Sequence, residues 1–207
     1  MDILHQNKVI DIVKESIDKG MTYNQYRGLI DRFSDLGRTT GPDQTESLVD
    51  YTRLNARRFK RWEKTLRLVH EMEALDTLTL PEMDWLVITE SWCGDAAHIM
   101  PVMRSLADGI PGTDLSIVLR DENPELMDQF LTNGARSIPK LIARKKENGD
   151  ILFTYGPRPS EATRMVESYK EQHDSLSDKF KEDLQRWYNK DKGKTTASDL
   201  LGLLSSL

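Results

Sequence analysis

The sequence predicts an α/β fold that carries helical extensions at both ends. Residues 1–80 and 160–190 space their apolar side chains three and four positions apart, which is typical of amphipathic helices. Between them, short β-branched runs alternate with helical segments in the order strand, helix, strand, helix and strand hairpin. With 207 residues, the chain is long enough for one domain with a sizeable core.

Three helices are predicted before the first strand. The apolar residues between Ile10 and Ile17 recur at helical spacing, and a second helix is expected from Thr22 to Gly37. Gly41–Pro42 then breaks the chain. From Glu46 one long helix is predicted, because apolar residues follow a single face as far as Met72.

The central segment changes from helical to strand character. WLVITE, at residues 85–90, is a short apolar run with β-branched residues that ends before Gly94, and it predicts a buried strand. Residues 96–109 have helical spacing and stop at Gly109, and residues 114–119 predict a second strand.

A further helix and a hairpin complete this segment. Asn123–Pro124 predicts a helix start, because proline is favoured in the first turn, and we expect that helix to reach Gly134. IPKLIARK and GDILFTYG predict two strands, joined by the hairpin signal Asn148–Gly149.

The C-terminal part predicts one long helix over residues 160–190, which packs on the N-terminal helices or on a second subunit. NKDKGKTTA, at residues 189–197, is interpreted as a polar linker. The apolar segment SDLLGLLSSL follows, and we expect it to dock on the body or on a dimer partner.

Composition and charge limit the classes of function. The net charge of −5 argues against a general nucleic-acid role, and no apolar run approaches the roughly 20 residues that span a bilayer. The N-terminus lacks the apolar segment of a signal peptide. One cysteine, Cys93, excludes an intrachain disulfide, so we expect a reducing compartment and a cytoplasmic location.

The cysteine lies in TESWCGDAAHIM, where a predicted strand gives way to a predicted helix. Free backbone N–H groups and the helix dipole at such a turn favour an anion, which would lower the pKa of the Cys93 thiol. The motif therefore predicts an exposed, reactive cysteine. The alternative is an inert small residue in a reused scaffold.

Several further features occur in a fixed order over residues 75–170: Trp92-Cys93-Gly94, Pro101, Asp121 to Pro124, Arg136 to Pro139, Asn148–Gly149 and Gly156. In this order they resemble the W-C-G-P-C block, helix proline, D-x-N-P block, cis-proline segment and last hairpin of thioredoxins. A narrower resemblance is to bacterial thioredoxin-family proteins of unassigned function that carry W-C-G-D-A instead of W-C-G-P-C.

The resemblance implies a thioredoxin-like fold, with a central mixed sheet flanked by helices, over residues 75–170. Residues 1–74 would then be a helical extension packed on this core. Residues 171–207 would form a C-terminal helical extension and tail. A homodimer through these extensions is one expectation for the assembly.

Three departures from thioredoxin concern one chemical step. Ala96 stands where thioredoxins have their second cysteine, while Val87 and Ile117 replace the buried acid and its lysine partner. The resemblance therefore implies a single-thiol site, in which Cys93 exchanges with a disulfide and an external thiol releases the product. Whether this is a thiol–disulfide oxidoreductase stays open, and the alternative is a binding module without redox turnover.

Two charged residues are candidates for the same site. Asp95 would disfavour a thiolate at Cys93 by like-charge repulsion, or would cap the following helix. Arg158, held between Pro157 and Pro159, would offset Asp95 or bind a carboxylate, and the alternative is an ordinary surface arginine.

The predicted site thus has catalytic and substrate-binding members. Cys93 and Asp95 are the catalytic candidates; the substrate-binding candidates are Trp92, Gly94, Ile138, Pro139, Gly156 and Arg158. We expect no metal and no cofactor, apart from a low-molecular-weight thiol as co-substrate. The expected partners are protein or peptide thiols and disulfides, or a small thiol, and neither nucleic acid nor a membrane.

Overall fold

A computed structural model describes the backbone of residues 3–207 and the side chains from residue 6 onward. In these residues five strands form one mixed sheet: β1 Met21–Thr22, β2 Met83–Thr89, β3 Asp114–Leu119, β4 Lys140–Lys145 and β5 Ile151–Tyr155. Their order is β1-β3-β2-β4-β5, with β2 and β3 parallel and the other pairs antiparallel. The predicted mixed α/β class is confirmed.

The helices precede, interleave with and follow the strands. They are α1 Ile3–Lys19, α2 Tyr23–Asp35, α3 Glu46–Thr65, α4 Val69–Leu75, α5 Ala96–Gly109, α6 Pro124–Gln129, α7 Ser160–Lys170, α8 Asp178–Asp191 and α9 Lys194–Leu204. Helix α1 packs against β3 and α6, whereas α5 packs against α3, α4 and α9. No helix among the described residues is long and apolar enough to cross a membrane.

Strand β2 forms the centre of the core and leads to the cysteine. All seven of its residues are buried, because β3 and β4 pair with its two edges and helices cover the sheet. Trp85, Val87 and Ile88 are fully buried. A short apolar run with β-branched residues is the pattern expected of such a strand, and the buried strand predicted for this segment is confirmed.

The predicted single helix over residues 46–72 is wrong, because the structure divides it. Helix α3 ends at Thr65, Leu66 is extended, and α4 begins at Val69. The turn buries Leu68 to 5% exposure and leaves Val69 at 61%. Apolar spacing continues through the turn, so periodicity alone does not detect it.

The predicted helix over residues 160–190 is also two helices. Helix α7 ends at Lys170 and α8 starts after Ser177, whose side chain accepts a hydrogen bond from the Phe180 N–H. Such a serine satisfies one of the free N–H groups of a helix start.

The predicted polar linker at residues 189–197 is wrong, since most of it is helical. Only Lys192 and Gly193 interrupt α8 and α9, and both have positive φ, at 59° and 80°. Helix α9 buries Leu200 and Leu204 in the same core as the sheet. Of the two alternatives for the tail, the structure therefore shows docking on the body of its own chain.

Two smaller differences concern short elements. Helix α6 ends at Gln129 rather than reaching Gly134: Phe130 leaves helical geometry, with φ −128° and ψ 41°, and Asn133 and Gly134 then adopt positive φ. Strand β1 was not predicted: it has only two residues and pairs Met21 with Ile117. The starts near Thr22 and Glu46 and the stop at Gly109 are confirmed.

Candidate functional site

The cysteine lies in the turn between β2 and α5. The Cys93 N–H donates to the Glu90 carbonyl at 3.1 Å, and the thiol donates to the Ile138 carbonyl at 3.3 Å. The Ile138–Pro139 peptide bond is cis. Only 6% of Cys93 is exposed, so the thiol is buried against the segment that precedes β4.

Burial raises the pKa of the Cys93 thiol to about 12, and the negative charge of Asp95 adds to this. Backbone hydrogen bonds from Ala96 and Asp95 and the charge of Arg158 act in the opposite direction. The expected lowering of this pKa is wrong for the structure described. Desolvation of the thiolate outweighs the favourable field of the helix start.

Asp95 joins the turn to the last part of the chain. Its carboxylate pairs with Arg158 at 2.8 Å and accepts a hydrogen bond from the Tyr188 hydroxyl at 2.8 Å. It makes no side-chain capping bond to α5, so the capping alternative is not what the structure shows. Burial raises the pKa of Asp95, and Arg158 opposes the increase.

Arg158 is held by the loop between β5 and α7. Its side chain is 25% exposed and paired with Asp95, so it is not an ordinary surface arginine. The loop approaches the backbone around Pro139 closely, because Gly156 has a φ of +105° and a Cβ there would collide with the Pro139 carbonyl. A glycine is therefore required at this position.

A groove of about 1070 Å³ opens beside these residues. Six of the eight predicted site residues line it: Trp92, Cys93, Gly94, Asp95, Ile138 and Arg158. The other two, Pro139 and Gly156, contact each other beside it and are not among its lining residues. Helices α3 and α8 contribute further lining residues, including Tyr51, Arg58, Leu184 and Tyr188.

Sequence reasoning missed the contribution of α8. The Tyr188 ring stacks on His98 at 4.4 Å, and the Gln185 amide contacts Nε2 of His98. Since Nδ1 of His98 accepts a hydrogen bond from the Trp62 indole N–H at 2.8 Å, the proton of the neutral ring lies on Nε2. Burial lowers the pKa of His98 to about 3, so this ring is a neutral packing group.

A buried polar cluster lies on the other side of the turn. Glu90 accepts hydrogen bonds from the Thr40 hydroxyl and, at 2.9 Å, from the Asp121 N–H. The Ser91 hydroxyl lies 2.9 Å from the Thr52 hydroxyl. The Ser91 carbonyl accepts a hydrogen bond from the Asn55 amide at 2.9 Å. These contacts fix the turn to α3 and to the preceding loop, and burial raises the pKa of Glu90.

Comparisons with other proteins identify the class of fold. The family model described as Thioredoxin matches residues 41–173, more than half of the chain. Among solved structures, the chain is similar to an HIV epitope scaffold at 16% identity, with a TM-score of 0.62 and coverage of 94% of this chain and 98% of the scaffold. It is also similar to a protein of unknown function from Pseudomonas aeruginosa at 16% identity, with a TM-score of 0.55 and coverage of 90% and 98%. No curated protein matches this sequence.

Proposed function

The chain belongs to the thioredoxin family, and from that premise we propose that it is a binding module whose groove holds an extended peptide segment of a partner. The thioredoxin-like fold is confirmed by the family match and the mixed sheet. One observation carries the proposal: Cys93, buried and protonated, lies in the wall of an open groove. The narrower W-C-G-D-A group stays a prediction.

The groove has the properties that a peptide segment requires. Its volume is about 1070 Å³, and residues of α3 and α8 extend it beyond Cys93. The backbone before Pro139 lines one side, where an extended peptide can add main-chain hydrogen bonds as an extra strand. Trp92 and Leu184 offer apolar contacts, and Arg158 offers a charged one.

A single-thiol exchanger is the second candidate, and the surroundings of the sulfur favour it. Backbone N–H groups of Asp95 and Ala96 and the Arg158 guanidinium all lower the pKa of Cys93. A Cys93 thiolate would attack a protein or small-molecule disulfide, forming a mixed disulfide and releasing the other half as a thiolate. An external thiol would then reduce the mixed disulfide and regenerate Cys93.

The pH dependence of Cys93 alkylation by iodoacetamide separates the two functions. The binding module predicts an apparent pKa well above about 8.5, the value of a free thiol. The same protein unfolded in urea gives the free-thiol reference, because Cys93 is the sole cysteine. An apparent pKa below that reference would favour the exchanger instead.

Peptide binding tests the module directly. Peptides selected from a displayed random library on the reduced protein should bind the Cys93→Ser variant with unchanged affinity. They should bind Arg158→Ala about tenfold more weakly, because a charge-assisted contact is lost. Arg164→Ala on α7, whose side chain is 70% exposed, is the matched control. Failure to select any peptide, or loss of binding in Cys93→Ser, would contradict the proposal.

The remaining expectations stay predictions. They are a cytoplasmic location, a small thiol as co-substrate and a homodimer through the helical extensions.

A further inference from the structure

One cation of the groove lacks the carboxylate partner that the others have. Arg120 pairs with Asp121, Arg136 with Asp128, Arg158 with Asp95, and Lys181 with Asp178. Arg58 also lines the groove, but no carboxylate of residues 6–207 forms an ion pair with it. Its guanidinium donates one hydrogen bond, from Nη1 to Oδ1 of Asn55 at 3.0 Å.

The guanidinium of Arg58 is fixed beside the cysteine turn. Asn55 is fully buried and its amide donates to the Ser91 carbonyl at 2.9 Å, so the acceptor of Arg58 cannot move freely. A Cβ built on Gly94 would lie 3.5 Å from Nη1 of Arg58. The guanidinium therefore lies against the residue that follows Cys93.

The partly buried charge of Arg58 is costly without a counter-ion. Burial, together with the nearby charge of Arg61, lowers the pKa of Arg58 to about 10, which still leaves it charged at neutral pH. The nearest acid of the turn, Asp95, is already paired with Arg158 and bonded to Tyr188. The other acids of the groove are exposed at its margin: Glu46, Asp50, Asp178 and Glu182.

We propose that Arg58 forms an anion subsite of the groove and binds a carboxylate of the peptide ligand beside Cys93. This proposal rests on the proposed binding function and names the chemistry of its ligand. A guanidinium with one hydrogen bond already fixed keeps its remaining N–H groups for a carboxylate, and a bidentate pair of this kind gives orientation as well as affinity.

Cys93 reports on this subsite through two reagents that differ in charge. Iodoacetate carries a carboxylate and iodoacetamide is neutral. Since both reagents react with the thiolate, the thiolate fraction cancels in the ratio of their rate constants. At about pH 8.5 Arg58 is charged, because its pKa is higher. We expect the ratio of the iodoacetate rate constant to the iodoacetamide rate constant to be higher in the folded protein than in the urea-unfolded chain, by about threefold or more. Raising NaCl from about 0.02 M to about 0.5 M should reduce that preference.

Variants assign the preference to one side chain. Arg58→Gln should lower the ratio about threefold, to the value of the unfolded chain, whereas Arg58→Lys should retain most of the preference, because the charge remains. Arg57→Gln removes an equal charge from the exposed neighbouring position and is the matched control. Equal effects of Arg58→Gln and Arg57→Gln, or a wild-type ratio insensitive to salt, would overturn the proposal.

Selected peptides identify the source of the carboxylate. If the subsite binds a side chain, exchanging each Asp or Glu for its amide should weaken binding at one position in wild type and not in Arg58→Gln. If it binds the C-terminus, amidation should have this effect instead. Binding that is insensitive to every such change would contradict the subsite but leave the binding module itself intact.

Discussion

At the scale of single residues, three acidic groups in the turn between β2 and α5 are largely shielded from water. Burial is the largest cause of a raised pKa at Glu90, at Cys93 and at Asp95. Thr40 and Arg158, from elsewhere in the chain, donate to Glu90 and Asp95, and the N–H of Ala96 at the start of α5 donates to Cys93. Burial therefore opposes negative charge at all three groups of the turn.

The buried carboxyl of Glu90 should make stability depend on pH. Its pKa is raised in the folded state above 4.5, so the folded protein binds more protons than the unfolded chain as the pH rises past that value. The free energy of unfolding should then fall with increasing pH through this window. Glu90→Gln should make this decline smaller, as measured by urea denaturation between about pH 4.5 and about pH 7, while the contribution of Asp95 remains.

Glu122→Gln is the control for this prediction, because that side chain is exposed. It should leave the slope of the unfolding free energy against pH unchanged. A slope that is the same in Glu90→Gln and in wild type would show that Glu90 is not the group responsible.

At the scale of elements, α8 is held on the groove by a few specific contacts. It buries Leu184 and Tyr188, while half of its other side chains are charged and exposed. The Tyr188 hydroxyl bonds Asp95 and its ring stacks on His98, so one residue joins α8 both to the turn and to α5. Tyr188 is therefore the main link between the C-terminal extension and the site.

Tyr188→Phe should destabilise the protein by about 1–3 kcal/mol, because a buried hydrogen bond to a carboxylate is lost and Asp95 keeps an unsatisfied oxygen. Tyr51→Phe is the matched control. Its hydroxyl also faces the groove but has no hydrogen bond to the described residues. Chemical denaturation of both variants measures the difference, and equal losses would contradict the assigned role of Tyr188.

At the scale of the whole molecule, one core includes the sheet and both extensions. A continuous cluster of buried apolar residues runs from Val13 to Leu204. Phe59 from α3 and Leu200 from α9 are at most 1% exposed and pack in the same cluster as the fully buried Trp85. The helical extensions therefore cover apolar surface that the central segment alone would expose to water.

A fragment of residues 75–170 should not fold cooperatively on its own. It would lose α3 and α9, which pack on α5, and would expose the apolar surface of that helix. Far-UV circular dichroism during urea denaturation should show a sigmoidal transition for the full chain and a gradual change for the fragment. A sharp transition in the fragment would instead indicate that residues 75–170 are an independent domain.

The fold class and the position of the cysteine between a strand and a helix follow from the amino-acid sequence alone. β-Branched runs, glycine stops and the Asn148–Gly149 hairpin are local signals, and they identified β2, α5 and the last two strands. The sequence also predicted six of the residues that line the groove. Local signals suffice there because strand and turn preferences act between residues close in the chain.

The contacts of Asp95 and the burial of the Cys93 thiol, in contrast, depend on residues that only the folded chain brings together. Tyr188 lies 93 positions from Asp95 in the chain, and no periodic pattern links the two. The helix breaks at residues 66–68 and 171–177 depend on which side chains the core buries, while apolar spacing continues across them. The Cys93 thiol is protonated rather than activated because burial outweighs the local field of the helix start. That burial depends on the packing of the whole molecule.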